Sequence, residues 1–188
     1  MFKKTYQFLK YIGFGFILFV ICLLLFRLFV LEPFVVRGMS MEPNFHDGDY
    51  LWIEKISAHL MGFNRGEVIV LQAPDNPNTV YIKRVIGLPG ERVIVKSNKV
   101  YIAKGYAAFA LNEPYIDGDM VKGKTEDITL TGDEIFVMGD NRNVSEDSRY
   151  FGPVKLKSVV GRVWFRLLPA NDRGTIQTPQ ITLKESAL

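Results

Sequence analysis

The 188-residue sequence predicts a mainly β domain carried behind one N-terminal transmembrane helix. Three observations predict it. A 21-residue stretch from Tyr11 to Leu31 is apolar apart from Arg27 near its far end. From Phe34 onward, apolar residues come in short runs separated by Gly, Pro, Asn and Asp, the punctuation of strands and turns. The positive charge is concentrated at the front. Lys3, Lys4, Lys10, Arg27 and Arg37 stand against Glu32 alone in the first 37 residues, and the whole chain is only +3.

The apolar stretch would make about 31 Å of helix, enough to cross a bilayer core. Arg27 lies within about a turn of its end, where it can snorkel to the interface. The lysines before it favour a cytoplasmic N-terminus, so residues 1–10 are assigned inside, 11–31 to the span, and the rest outside. A cleaved leader would have a shorter core followed by small residues at fixed spacing. Here Glu32-Pro33-Phe34-Val35-Val36-Arg37 follows instead, which predicts an uncleaved anchor in the bilayer.

Phe34-Val35-Val36, Tyr50-Leu51-Trp52-Ile53 and Val68-Ile69-Val70-Leu71 read as strands, with turn chemistry at Glu42-Pro43-Asn44 and Asp47-Gly48-Asp49. Tyr81 to Ile86 is the next strand, running into Gly87-Leu88-Pro89-Gly90. Arg92–Val95 and Val100–Ile102 read as a hairpin turning at Ser97-Asn98. Residues 103–131 are mostly polar and read as an inserted lobe or long loop. Glu134–Met138 and Val159–Phe165 complete the strands, and 169–188 reads as a polar, frayed tail. The near-neutral main domain offers no electrostatic case for nucleic acid. The lone cysteine, Cys22, lies in the anchor, so the main domain uses neither disulfides nor thiolate metal sites. His46 and His59, without a cysteine cluster, do not suggest zinc.

Three stretches exceed ordinary β sequence. Strand residues alternate between faces, so Lys83 shares a face with Tyr81 and Val85, while Arg84 points the other way with Ile82 and Ile86. A lysine between apolar neighbours is either a side chain snorkelling to water or a desolvated amine able to act as a base. Ser40 sits in Gly38-Met39-Ser40-Met41-Glu42-Pro43, where Gly38 permits close backbone approach and Pro43 stiffens the turn. Gly139 to Arg149 packs Asp140, Arg142, Asp147 and Arg149 into one loop, as a salt-bridge network would. Serine hydrolysis needs a nucleophile, a base and oxyanion donors. His46 is six residues from Ser40 but in no known order, His59 reads as a surface residue, and a lysine base is the alternative.

These residues resemble the type I signal peptidases, membrane-anchored Ser/Lys endopeptidases that remove signal peptides from exported proteins. Ser40-Met41-Glu42-Pro43 resembles the family's Ser-Met-x-Pro. Tyr81 to Gly90 resembles its Tyr-Ile-Lys-Arg-x-x-Gly-x-Pro-Gly, and Gly139 to Arg149 its Gly-Asp-Asn-Arg-x-x-Ser-x-Asp-Ser-Arg. Leu111 to Tyr115 and Arg65 to Val68 also look like it, and the similarity spans roughly residues 1–168. The resemblance implies a signal-peptidase-like β-barrel or sheet catalytic domain over 32–168 behind the transmembrane helix, in the plasma membrane, acting outside on signal peptides of exported preproteins. It implies no cofactor and no metal. Ser40 would be the nucleophile, with its N–H donating to the oxyanion, and Lys83 the general base. Ser145 would orient the Lys83 amine, and Asp147 with Arg149 would shape the loop. Phe34, Val36, Met41, Phe45, Tyr81 and Ile82 would line pockets for small side chains. Gly38 stands where many relatives carry a serine that completes the oxyanion hole. Asn44-Phe45 replaces Thr-Leu, and Asn143-Val144 replaces Asp-Asn. The competing readings are a non-catalytic anchored β domain that binds exported chains and a Ser/Lys self-cleaving regulator.

Overall fold

A computed structural model describes residues 2–74, 76, 78–96, 99–116 and 125–186. Helix α1 runs Phe2–Phe29, and its side chains are described at Gln7 and over 10–24. Tyr11, Phe14, Phe16 and Phe19 on it are exposed. Among the described residues, no helix is long and apolar enough to cross a membrane. The side chains of Lys3, Lys4, Arg27 and His59 lie outside the described residues.

Beyond the helix the chain is β, in two antiparallel sheets. The first has the order β1-β2-β11-β3-β4-β9-β10, from strands β1 Leu31–Val35, β2 Tyr50–Glu54, β3 Val68–Gln72, β4 Val80–Gly87, β9 Glu134–Met138, β10 Val154–Lys155 and β11 Val159–Leu168; β12 Gly174–Thr175 adds to β11. The second has the order β13-β7-β6-β5-β8, from β5 Arg92–Lys96, β6 Lys99–Lys104, β7 Ala107–Asn112, β8 Glu126–Thr129 and β13 Thr182–Ser186. Two short helices, α2 Ile56–Met61 and α3 Ser148–Phe151, sit in connections.

The central strands are apolar on both faces because both faces are covered. On β3, Val68 and Val70 join a core under the Ser40 loop with Val36, Met41, Phe45 and Ile82. Ile69 and Leu71 join the opposite core with Val85, Ile135 and Val137. The same alternation splits β4, as expected from its sequence, and Ile86 reaches the third core, shared with Val93, Val100 and Ile102 of the second sheet.

Two expectations need correction. The inserted lobe begins earlier than 103: β5 and β6 already belong to the second sheet, and β7 and β8 extend it, so of the two expectations, lobe or long loop, the described residues form a lobe. The turn at Ser97-Asn98 and residues 117–124 lie outside the described residues. The tail is not frayed throughout. Thr182–Ser186 pairs with β7, from Thr182↔Asn112 to Ser186↔Ala108, and Ile181 and Leu183 pack on the lobe core. An edge strand with one covered face needs only alternate apolar residues, which is why this segment reads as polar.

Candidate active site

Ser40 rides on a loop, residues 36–49, whose neck is tied shut. The Val36 N–H donates to the Asp49 carbonyl at 2.9 Å, and the Gly48 N–H to the Val36 carbonyl at 3.0 Å. The Gly38 N–H donates to Asp47 Oδ1 at 2.7 Å. Gly38 has φ +82°, a left-handed conformation that other residues adopt only with strain. Arg166 of β11 grips the same loop from behind: its Nη2 donates to the Asn44 carbonyl, its guanidinium lies over the Phe45 ring, and its Nε is 3.2 Å from Asp49 Oδ2.

Lys83 meets this loop from β4. Its Nζ lies 2.9 Å from Ser40 Oγ and 5.4 Å from the centre of the Tyr81 ring. Only 3% of the residue is exposed. Burial is the main influence on its amine and lowers the pKa to about 8, although Asp147 and Glu146 pull it upward. His46 is exposed and takes no part in this contact. Among the described residues, the Ser40 N–H donates to no other backbone group.

The charged loop lies directly behind. Arg149 is held on Asp147 in two-pronged fashion, Nε to Oδ1 and Nη2 to Oδ2 both at 2.8 Å, and both side chains are fully buried. Asp147 Oδ2 also accepts from the Gly139 N–H at 3.0 Å, and Asp147 caps α3. The Asn141 N–H donates to the Ser40 carbonyl at 3.0 Å. At Gly139 a Cβ would overlap both Ser145 Oγ and the Ser40 carbonyl, so only glycine lets the two loops come this close.

The sequence matches the family described as signal peptidase, peptidase S26, over residues 8–168. It is 36% identical over 163 residues to a signal peptidase I of Bacillus licheniformis, covering 81% of this chain and 85% of that one. It is 34% identical over 180 residues to signal peptidase I T of Bacillus subtilis (strain 168), covering 90% of each. A crystal structure of a signal peptidase I from Enterococcus faecalis V583 aligns with TM-score 0.46 and 32% identity, over 54% of this chain and 96% of that one. The chain belongs to the signal peptidase family.

In this member of the family the expected residues do not all converge. Phe34, Tyr81 and Ile82 line a cleft of about 120 Å³ at Ser40 and Lys83. Val35, Arg37 and Val80, which sequence reasoning missed, line it too. Val35 and Val80 are apolar yet exposed, and alternation along a strand does not say that these outward positions of β1 and β4 meet at one cleft. Val36, Met41 and Phe45 do not line the cleft: they are buried in the core beneath the Ser40 loop, fixing its height. Ser145 is beside the site, but the bond expected from it to Lys83 is not made. Its Oγ is buried without a hydrogen-bond partner, and Lys83 is turned onto Ser40.

Sequence reasoning also misplaced the loop's partners. Asp140 pairs with Arg84, Nε to Oδ1 at 2.8 Å and Nη2 to Oδ2 at 2.5 Å, with both side chains buried. Arg142 pairs with Glu113 through both terminal nitrogens. Asn44, at a position where the family pattern has threonine, donates to Asp140 Oδ2 at 2.9 Å and to the Tyr115 carbonyl at 2.7 Å. The network therefore ties the Ser40 loop, β4, the charged loop and the second sheet into one frame.

Proposed function

We propose that the chain is a membrane-anchored serine endopeptidase that cleaves signal peptides from exported preproteins, with Ser40 as nucleophile and Lys83 as general base. The observation that carries this is the 2.9 Å contact between Lys83 Nζ and Ser40 Oγ at a lysine whose pKa is lowered to about 8. A neutral Lys83 accepts the hydroxyl proton as Ser40 Oγ attacks the scissile carbonyl carbon. The carbonyl oxygen takes up the electron pair, and the Ser40 N–H, which donates to no other backbone group among the described residues, donates to it. Collapse breaks the C–N bond, and the Lys83 ammonium gives its proton to the departing amine of the mature chain. A water then repeats the sequence on the acyl ester, losing its proton to Lys83 and releasing the signal peptide as a carboxylate. Gly38 keeps the turn in its left-handed shape. Asp147 and Arg149 hold the loop against Ser40, and Ser145, whose buried Oγ is unpartnered close to Gly139, orients the amine when it turns from Ser40.

Helix α1 is the anchor in this reading, with residues 1–10 cytoplasmic and the apolar stretch from Tyr11 spanning the plasma membrane; the span ends with the helix at Phe29, short of the expected Leu31, which opens β1 of the outer β domain. Holding enzyme and substrate in one bilayer raises their effective concentration. A reporter joined after Leu188 reads that topology, and a cytoplasmic signal would sink it. The dyad is tested with purified full-length protein and a preprotein. Ser40→Ala and Lys83→Arg should each lower kcat by about a thousandfold or more with the domain still folded. Arginine keeps the positive charge but does not give up its proton. A folded Lys83→Arg protein with near-normal turnover would overturn the mechanism.

A further inference from the structure

The wall of the cleft carries one cation that the mechanism does not use. Arg37 lines it together with Phe34, Val35, Ser40 and Lys83. Its side chain is exposed, and among the described residues it has no carboxylate within ion-pair distance. The other cations around the site are committed: Arg84 to Asp140, Arg142 to Glu113, Arg149 to Asp147 and Arg166 to Asp49. Lys83 must be neutral to act. Arg37 is thus the single uncompensated positive charge on the described lining.

Its backbone is also held in place. Val36 on one side is bonded to Asp49 and Gly48, and Gly38 on the other is bonded to Asp47. Asp47 is an acidic residue in that tie, and one of its oxygens is taken by the Gly38 N–H. The alternation along β1 continues to Arg37. Phe34 and Val36 turn inward, while Val35 and Arg37 turn outward toward the cleft mouth. An extended substrate advances about 3.3 Å per residue, and an arginine side chain reaches about two such steps. A fixed backbone with a long charged side chain, three residues before the nucleophile, therefore samples only a short window of the bound peptide.

We propose that Arg37 is a specificity-determining residue: it selects signal peptides carrying an acidic side chain, and disfavours a basic one, within about two residues of the scissile bond. The proposal rests on the peptidase reading above. Its physics is that of a partly exposed ion pair, which is modest in size and screened by salt.

The test uses the full chain in detergent and one preprotein in which each position, from three before the cut to two after it, carries Ala, Glu or Lys. The position just before the cut and the one two residues earlier serve as checks of pocket size. At one position or more, kcat/KM for Glu over Lys should reach about twofold to tenfold in dilute buffer and shrink in about 0.5 M salt. The ratio should fall to near one in Arg37→Gln and invert in Arg37→Glu. Equal rates for Glu and Lys substrates at every position, in a protein that cuts the Ala substrate, overturn the proposal and leave the peptidase reading intact. So does a Glu preference that survives in Arg37→Gln, and so does a salt effect equal for all substrates. Failure to cut any substrate, the Ala one included, overturns both.

Discussion

The two faces of β4 each carry a buried cation, and they meet opposite fates. Lys83 and Arg84 are neighbours in sequence and equally buried, each 3% exposed. Arg84 turns toward Asp140 and is met by two charge-assisted hydrogen bonds, with a third from Nη1 to the Gly66 carbonyl at 2.7 Å and the Tyr115 ring 4.1 Å beneath. Lys83 turns toward a serine hydroxyl and an aromatic ring and, among the described residues, has no carboxylate bonded to it. Burial penalises a charge in both places, but only one is compensated. Arg84 therefore remains a charged strut, and Lys83 becomes an amine able to lose its proton near neutral pH. One residue of strand register separates framework from chemistry.

Substitutions on each face should break in different ways. Asp140→Asn leaves Arg84 buried without its countercharge, and unfolding in denaturant should reveal a loss of about 3–5 kcal/mol. A loss below about 1 kcal/mol would mean Arg84 is compensated elsewhere. On the other face Lys83→Met removes a penalty instead of a partner. The folded pKa of about 8 lies below the ordinary 10.5. Below pH 8 both states hold the proton, and the folded state bears the full cost of a charged amine in an apolar site. Between about pH 8 and 10.5 the folded protein has released its proton and the unfolded chain has not, so stability rises with pH across that window. The size of the effect is about 3 kcal/mol. Lys83→Met should be more stable than the parent at pH 7, with the gap closing by pH 10. A gap that does not change with pH would sink the account of Lys83 as a desolvated amine.

The contrast also explains what could be read from the residues alone. Alternation along Tyr81 to Ile86 was enough to send Lys83 and Arg84 to opposite faces, because period two is a local property of a strand. The cluster Asp140, Arg142, Asp147 and Arg149 was legible as an ion-pair network, and Asp147 does pair with Arg149 two residues away. Asp140 and Arg142 instead take partners 56 and 29 residues distant. Antiparallel pairing of β4 with β9, Arg84↔Met138, brings Asp140 beside Arg84, and that register is a tertiary fact with no local signal. The pocket residues failed for a related reason. Val36, Met41 and Phe45 are apolar because they support the Ser40 loop from beneath. The cleft takes instead the outward Val35, Arg37 and Val80, which a pattern of buried positions ignores.

The smallest expected effect tests the comparison most finely, because it leaves both faces intact. Three carboxylates raise the Lys83 pKa against the lowering by burial: Asp147 most, then Glu146, and least Asp140, which is already paired with Arg84. Asp147 cannot be altered cleanly, since it holds Arg149 and the Gly139 N–H. Glu146 is exposed and can be. In Glu146→Gln the amine loses one stabilising negative charge and the folded pKa falls further. With Lys83 as the base proposed above, activity rises as it loses its proton, so the rising limb of kcat/KM against pH, which reports the free enzyme, should move to lower pH. The shift should be about half a pH unit or less in dilute buffer. It should fade as salt shortens the screening length to about 10 Å and below. Glu146→Lys should move the limb further the same way. A limb that stays still in dilute buffer, or moves toward higher pH, would mean the titrating group is not Lys83.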